Sequence, residues 1–197
     1  DDLNTARTKA HHALLHAMAL DKNYIDVSDD SIAQVAVDYF SKHGPQKYHA
    51  RSLYYLGLAY YYQEDYNKAI VEFTKAEEVA EACDSLYLGF VKVAQADVYA
   101  QTYNPIEEIR CLREALDINS KVSTKYYCDV VKLNIISSLF NQYHHEEAEQ
   151  LLHQLLDDET VDDKIRVSAE LIQAYITVTD HENPDFSKAV KIYEDVF

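Results

Sequence analysis

Hydrophobic residues recur every three or four positions along most of the chain, and short polar turns separate these stretches. Such spacing is typical of amphipathic helices. The clearest case lies between residues 50 and 81, where the polar residues 63–65 separate two stripes of apolar and small side chains. The two stripes consist of Leu53, Leu56, Gly57 and Tyr60, and of Ala69, Phe73, Ala76 and Ala80. Two such helices joined by a short turn predict a helical hairpin.

The order of small and large side chains in this stretch resembles the tetratricopeptide repeat. Gly57 and Ala69 are small where the two helices would cross, whereas Tyr60 and Phe73 are large where a gap must be filled. Leu53 replaces the usual tryptophan, and Glu81 stands where proline often ends the repeat. The resemblance implies an all-α fold: a tetratricopeptide-repeat right-handed superhelix, or α-solenoid.

Similar stripes predict about five helical hairpins in a single helical-repeat domain spanning residues 1–197. Their expected bounds are about 3–44, 48–82, 86–120, 124–157 and 162–197. Ser28–Asp30 and Asp162–Asp163 are expected to cap helices, and Gly44–Pro45 to stop one. Asn104–Pro105 is typical of a helix start. Because the sequence does not begin with methionine, we expect a fragment of a longer protein.

The remaining hairpins have apolar residues that we expect to face inward. In the first hairpin these are Leu3, Ala6, Ala10, Ala13, Leu14, Ala17, Leu20, Ile32, Val35, Ala36, Tyr39 and Phe40. In the third and fourth they are Ala96, Tyr99, Ile109, Leu112, Ala115, Ile136, Leu139, Ala148, Leu152 and Leu155. In the fifth they are Val167, Leu171, Ile172, Tyr175, Ala189, Tyr193 and Val196.

Two departures from the standard repeat stand out. Tyr60, Tyr99, Leu139 and Tyr175 are expected at equivalent positions, and their separations of 39, 40 and 36 residues exceed the usual repeat length of about 34. The helices or turns should therefore be longer than usual. In the third hairpin, Glu108 occupies the position where the repeat favours alanine, which predicts a looser or register-shifted helix crossing.

Composition and charge narrow the class of partner. A hydrophobic fraction of 48%, with 3 glycines and 3 prolines, favours ordered helical structure. The net charge of −16 weighs against binding nucleic acid, which requires lysine and arginine to displace counterions, and against anionic lipid. No apolar run reaches membrane-spanning length. The expected partner is a protein or peptide segment that is apolar, neutral or basic.

Neither metal-binding nor catalytic patterns are evident. Cys83, Cys111 and Cys128 have no zinc-site spacing, so we expect them to be small buried hydrophobes. His12 and His16 could chelate an ion from adjacent turns, but no third ligand can be named and surface histidines are the simpler interpretation of the histidine pairs. No nucleophile motif, phosphate-binding loop or HExxH sequence is present. The sequence therefore predicts no cofactor, no metal and no enzymatic activity.

The candidate site is a concave groove lined by the first helix of each hairpin, as the repeat resemblance implies. The expected lining residues are Arg51, Tyr54, Leu58, Tyr61, Phe90, Val93, Asp97, Gln101, Val130, Leu133, Ser137, Phe140, Asn141, Arg166 and Gln173. Chaperone-binding repeats place lysine and asparagine there to grip a carboxylate, whereas this chain has Tyr54, Leu58, Val93 and Asp97. An aromatic and aliphatic groove suits an amphipathic helix or an extended apolar peptide. The alternative that other parts of the chain fill the groove stays open.

A longer stretch resembles a family of tetratricopeptide-repeat lipoproteins of the Bacteroides type. It comprises residues 13–15, 19–26, 28–31 and 36–40, followed by Tyr54-Tyr55-Leu56-Gly57. This resemblance implies an upstream lipoprotein signal and a cell-envelope location, with the cytoplasm as the alternative. It also implies a membrane helix and a helical or DNA-binding tail after the repeats, and it brings no catalytic residues.

Two functions follow from these features: a non-catalytic scaffold that binds a protein or peptide segment, or the sensory part of a regulator whose output domain lies elsewhere. Tyr193, Val196 and Phe197 lie on the last helix, where stacked repeats usually have a polar cap. We therefore also expect self-association through this end of the chain.

Overall fold

The computed structural model describes residues 2–26, 28–122, 124–179 and 184–196. Within these ranges the chain forms ten α-helices and no strand. The helices are α1 (Asp2–Lys22), α2 (Asp30–Phe40), α3 (Gln46–Tyr62), α4 (Tyr66–Ala80), α5 (Ser85–Gln101), α6 (Pro105–Val122), α7 (Lys125–Asn141), α8 (His145–Leu156), α9 (Asp163–Thr179) and α10 (Phe186–Val196). The predicted all-α fold is confirmed within these ranges. Helices α1, α3, α5 and α6 extend one or two residues beyond the approximate bounds predicted for their hairpins.

The chain divides into two compact units, residues 1–118 and 119–197, with the boundary inside α6. In unit 1, α3 packs against both α1 and α5, so these three first helices form one layer. The second helices α2 and α4 pack between them, with α2 against α1 and α3, and α4 against α3 and α5. In unit 2, α7 packs against α8 and α9, and α9 packs against α10. The single-domain prediction stays a prediction.

The first four hairpins turn in the same way. After each first helix, one residue adopts a positive φ of 55–63°: Tyr24, Glu64, Tyr103 and Tyr143. The next residue donates its backbone N–H to a carbonyl five positions back, on Leu20, Tyr60, Tyr99 and Leu139 respectively. This is the Schellman helix ending. The acceptor carbonyls are separated by 40, 39 and 40 residues, so the repeat in the structure is longer than the standard repeat of about 34 residues.

Tyrosine is an unusual residue for this left-handed position, where glycine or asparagine is favoured. The Tyr103 side chain is 93% exposed, so little packing offsets the backbone strain. We expect Tyr103→Gly to raise the free energy of unfolding by about 1 kcal/mol. The matched control is Tyr126→Gly, since Tyr126 is also exposed but lies in helix α7, where glycine should cost about 0.5 kcal/mol. Urea denaturation of both variants tests the sign, and a destabilised Tyr103→Gly protein would contradict it.

The core of unit 1 is densest where α3 crosses α4. Leu53, Ala69, Phe73 and Ala76 are all buried there, and Val91 of α5 joins the same cluster. A Cβ built on Gly57 would lie 2.5 Å from the Phe73 ring. The predicted close packing at Gly57 is confirmed, but its nearest neighbour is the Phe73 ring rather than Ala69.

Aspartate side chains cap several helix starts. Asp29 accepts from the backbone N–H of Ser31, and Asp162 accepts from that of Lys164, as the sequence predicted. Asp65 and Asp84 accept in the same way at the starts of α4 and α5. These carboxylates satisfy free N–H groups and complement the positive end of the helix dipole.

The register of α9 differs from the expectation. Ile165, Ala169 and Ile176 face the core, whereas Tyr175 is 54% exposed and does not occupy the position predicted for it. Val167, Leu171 and Ile172 are only half-buried. Two neighbouring stripes of this helix are apolar, so hydrophobic periodicity alone does not select the buried one.

Other side chains also differ from their predicted burial. Ala6, Val35 and Tyr193 are exposed, with Ala33 taking the buried place on α2. Cys111 is buried, but Cys128 is half-buried and Cys83 is exposed because it follows the last residue of α4. The predicted contributions of Leu3, Val196 and Phe197 lie outside the described side chains.

Neither a membrane-spanning helix nor a metal-binding cluster occurs among the described residues. None of the helices within the described ranges combines the length and apolar character needed to cross a membrane. Over that same part of the chain, no three histidine, cysteine, aspartate or glutamate side chains cluster as metal ligands would.

Candidate functional site

In unit 1, the predicted groove residues lie on two adjacent helices of the first-helix layer. Arg51, Tyr54, Leu58 and Tyr61 are spaced three or four residues apart on α3, as are Phe90, Val93, Asp97 and Gln101 on α5. Asp97 and Gln101 are exposed, and the other six side chains are half-buried. The two rows therefore divide into side chains used mainly for packing and side chains available to a ligand.

Arg51 and Tyr54 serve the packing between helices. The Arg51 Nε donates to Asp84 Oδ2 over 2.7 Å, and its guanidinium lies 4.4 Å from the Tyr87 ring centroid. The Tyr54 ring contacts Tyr87 and Phe73, with centroid distances of 5.6 and 6.0 Å. Phe90 and Leu58 also pack against the buried clusters. Removing any of these side chains would disturb the fold as well as the surface.

The accessible part of this surface lies toward the C-terminal ends of α3 and α5. We call it the acidic aromatic face, formed by Tyr61, Tyr62, Asp97 and Gln101. The Tyr61 and Tyr62 rings meet edge to face at 5.7 Å. Tyr62 is 39% exposed. Aromatic rings beside polar groups can bury area while offering hydrogen bonds, which suits a peptide ligand.

The electrostatics of this face are dominated by carboxylates. Although Asp97 is exposed, the protein around its carboxyl removes part of its hydration, and this desolvation, together with the charge of Glu108, raises its pKa. The pKa of Tyr62 is raised by desolvation and by the charges of Asp26 and Asp21. Burial also raises the pKa of Asp21, although the Tyr55 hydroxyl donates a hydrogen bond to it. The face therefore favours cationic over anionic ligands.

In unit 2, the predicted groove residues of α7 separate into buried and accessible positions. Leu133 is buried and Val130 is half-buried, so Leu133 is not available to a ligand. Ser137, Phe140 and Asn141 line a cavity of about 400 Å³ between α7 and α9. Leu171, Ile172 and Tyr175 complete its lining.

A second cavity of about 580 Å³ shares Phe140, Asn141 and Tyr175 with the first. His145 lies 4.8 Å from the Phe140 ring, and Tyr175 lies 5.8 Å from it, both edge to face. Phe186 and Tyr143 also line this space. These rings make an aromatic pocket within unit 2.

The predicted groove residues of α9 lie elsewhere in unit 2. The Arg166 guanidinium donates to the backbone carbonyls of Leu156 and Asp158, each over 2.7 Å, and so satisfies the C-terminal end of α8. Gln173 is half-buried. Neither residue lines the two cavities.

Tyr62, Asp21, Tyr175 and His145 are not among the site residues predicted from the sequence. Tyr62 directly follows Tyr61 in a run of three tyrosines, and a run of aromatics near a helix end was the available signal. Asp21 was assigned to a helix break, and Tyr175 was assigned to the core. Only the packing of α1 against α3 and of α7 against α9 reveals their positions.

Comparison with solved structures identifies the fold. A kinesin light chain-like protein of Podosopora anserina with nearly identical TPR-like repeats matches with a TM-score of 0.74 and 13% identity, covering 94% of this chain and 92% of that one. A point variant of that protein gives the same TM-score and identity, with 100% and 94% covered. BtubC (BKLC) from P. vanneervenii matches with a TM-score of 0.75 and 14% identity, covering 98% and 85%.

No protein-family model and no curated protein sequence matches the chain. The resemblance to the Bacteroides-type family stays a prediction. The agreement with the solved structures concerns backbone geometry alone, because the identities are low. The chain has the fold of tetratricopeptide-like helical repeats.

Proposed function

We propose that this protein is a non-catalytic helical-repeat scaffold that binds a segment of a partner protein on the acidic aromatic face of unit 1. The observation that carries the proposal is the exposure of Tyr62, Asp97 and Gln101 on neighbouring first helices. Aromatic rings and accessible polar groups side by side are typical of peptide-binding surfaces.

The fold and the charge support a protein partner of a particular kind. Helical repeats of this type commonly act in protein interaction, and their stacked first helices offer an extended surface. The net charge of −16 disfavours acidic partners and favours a segment that is neutral or basic. The aromatic pocket of unit 2 offers further apolar contact area for the same or another segment.

Site-specific photo-crosslinking tests this proposal. Benzoylphenylalanine placed at position 62 replaces one exposed aromatic side chain by another, so the fold should be retained. The matched control places the same group at Val71, which is 49% exposed on α4. We expect adducts with one partner at position 62 and far fewer at position 71, on irradiation in a lysate of the source organism.

Mass spectrometry of the adduct would identify the crosslinked segment, and a synthetic peptide of that segment should compete with adduct formation. Equal adduct patterns at positions 62 and 71 would mean that the face is not a discrete binding surface. A complete lack of adducts at position 62 would equally contradict the proposal.

A further inference from the structure

The aromatic pocket of unit 2 is a concave site built by four elements. Its larger cavity, of about 580 Å³, is lined from α7 by Phe140 and Asn141 and from α9 by Tyr175. The turn after α7 and the starts of α8 and α10 supply three further rings, those of Tyr143, His145 and Phe186. The smaller cavity, of about 400 Å³, shares the three residues of α7 and α9. Both volumes lie in the range of small-molecule sites.

The rings of this pocket meet at steep angles. The Phe140 ring lies 4.8 Å from the His145 ring and 5.8 Å from the Tyr175 ring, with interplanar angles of 65° and 73°. Tyr143 and His145 meet at 5.9 Å and 87°. An edge-to-face pair leaves ring faces uncovered, unlike a parallel stack. These faces carry the negative end of the aromatic quadrupole, so they attract cations.

Much of this aromatic surface is open to solvent on an anchored framework. Tyr175 is 54% exposed and Phe186 is 65% exposed. The backbone N–H of Asp185 donates to the Thr177 carbonyl of α9 over 3.0 Å. The Asp185 carboxylate accepts from the backbone N–H of Lys188 in the first turn of α10. The start of α10 is therefore fixed to α9, and Phe186 is held at the pocket.

The charges around the pocket select the class of ligand. Among the described residues that line the two cavities there is no lysine, arginine, aspartate or glutamate. An anion therefore finds no basic partner there, and a strongly hydrated primary ammonium group finds no carboxylate. A quaternary ammonium group has no N–H to satisfy and is recognised by aromatic rings. The net charge of −16 raises the local concentration of cations around the chain.

One polar side chain offers a second point of contact. The Asn141 carboxamide lines both cavities and forms no hydrogen bond with the described part of the chain. A carboxamide both donates and accepts, so it suits a hydroxyl or carbonyl group carried by the ligand. The Thr179 hydroxyl, by contrast, already donates to the Tyr175 carbonyl over 2.8 Å.

We infer that the aromatic pocket of unit 2 binds a trimethylammonium group, with the cationic head against the rings of Phe140, Tyr175 and Phe186. A neutral polar tail of the ligand would contact Asn141. This binding is separate from that of the partner segment on unit 1, so it goes beyond the proposed function. The same group occurs in free small molecules such as choline and in trimethylated lysine side chains, and binding measurements distinguish these two sources.

The test uses the full chain and three small probes. Choline carries the trimethylammonium group, dimethylbutanol replaces that group by an uncharged tert-butyl group of the same shape, and ethanolamine replaces it by a primary ammonium group. Titrations followed by the NMR signals of the chain at pH 8 should show choline binding at least about tenfold more tightly than either other probe. Equal binding of choline and dimethylbutanol would overturn the inference, because the pocket would then accept apolar groups whatever their charge.

Variants locate the binding within the chain. Tyr175→Ala should weaken choline binding at least about fivefold, whereas Tyr175→Phe keeps the ring and should bind as wild type does. The matched control is Tyr126→Ala, which removes an exposed tyrosine of α7 that lines neither cavity. Thermal melts show whether Tyr175→Ala is folded. If it is not, Phe186→Ala takes its place with the same expected loss, because this ring is even more exposed.

A fourth probe, acetylated trimethyllysine amide, distinguishes the two sources of the group. Binding no more than about tenfold tighter than that of choline assigns the pocket to a free small molecule, and still tighter binding assigns it to a modified lysine of a partner. The inference is overturned if choline does not bind below about 10 mM, or if a folded Tyr175→Ala protein binds it as wild type does. None of these outcomes affects the crosslinking at position 62, which tests the proposed function separately.

Discussion

Replacing Gly57 by leucine is expected to lower the free energy of unfolding by about 1–3 kcal/mol. The Cβ alone would lie 2.5 Å from Cε1 and 2.6 Å from Cδ1 of Phe73, closer than any real contact permits. Phe73 is fully buried among Leu53, Val91 and Val98, so its ring cannot move without displacing other core side chains. The additional leucine atoms then require a larger shift of α4 away from α3.

The Gly57→Ala variant distinguishes the cost of the steric clash from the gain in helix propensity. Alanine favours the helix over glycine by about 1 kcal/mol, whereas the overpacked methyl group costs about 1–3 kcal/mol. We expect a smaller net loss than for leucine. The control is Ala19→Leu, which adds a leucine side chain at an exposed helical position of α1. Urea denaturation, fitted with one common slope, measures the free energy of unfolding of the three variants. An unchanged midpoint for Gly57→Leu would mean that the α3–α4 packing described here is wrong.

The hairpins were predictable because each imposes several constraints at once. Only one register of α3 against α4 places small residues at the crossing, large residues in the gaps and polar residues in the turn. The same agreement holds for the third and fourth hairpins, whose predicted core residues Leu112, Ala115, Ile136 and Leu139 are buried. The pattern did not specify which residue of α4 contacts Gly57, because Ala69 and Phe73 lie on the same face of α4 one turn apart.

The fifth hairpin was less predictable for the opposite reason. Its first helix has two apolar stripes. The six residues between α9 and α10 exceed the three-residue turns of the second, third and fourth hairpins, so neither pattern nor turn geometry fixes the register. The exposed Tyr175 and its contact with Phe140 follow from the packing of α7 on α9. Contacts between distant helices of this kind leave no periodic signal in the sequence.

The acidic aromatic face illustrates the same limit. Asp97 and Gln101 could be placed on one surface from their spacing, and the departure of Glu108 from the repeat pattern was visible in the sequence. The effect of Glu108 on the pKa of Asp97 could not be predicted from the sequence. It depends on how α5 and α6 pack and on how much water reaches the Asp97 carboxylate.

Replacing Lys92 by methionine is expected to destabilise unit 1 by about 2–3 kcal/mol, the largest effect we expect from removing a charge. The Lys92 ammonium is 2.5 Å from Glu77 of α4 and 2.7 Å from Glu114 of α6, and its side chain is only 7% exposed. Removal of the ammonium leaves two carboxylates facing each other. Their side chains are 22% and 38% exposed, so water offsets part of the loss, and the cost falls below the about 3–5 kcal/mol of a fully buried pair.

The triple variant Lys92→Met, Glu77→Gln, Glu114→Gln distinguishes the ion cluster from simple packing. It removes the two carboxylate charges that the single variant leaves without the Lys92 ammonium. Although Glu114 also loses its ion pair with the exposed Arg110, the triple variant should recover at least half of the lost stability. If methionine were merely a poor fit for the space, the triple variant would be as unstable as the single one. Guanidinium chloride would screen the charges, so urea is the denaturant for this comparison.

The pH dependence provides the sharper measurement. Burial lowers the pKa of Lys92, but its hydrogen bonds to Glu114 and Glu77 outweigh this and raise the pKa above its usual value near 10.4. Its contribution is therefore complete below that value and lost as the pH rises through the folded-state pKa. Burial raises the pKa of Glu114, but its bonds to Lys92 and Arg110 lower it overall, so its contribution is present above pH about 4.3 and lost in acid. We expect the stability difference between wild type and the triple variant to be constant from about pH 5 to 9 and to shrink at both extremes. A difference that did not change with pH would show that the cluster stabilises unit 1 through shape rather than charge.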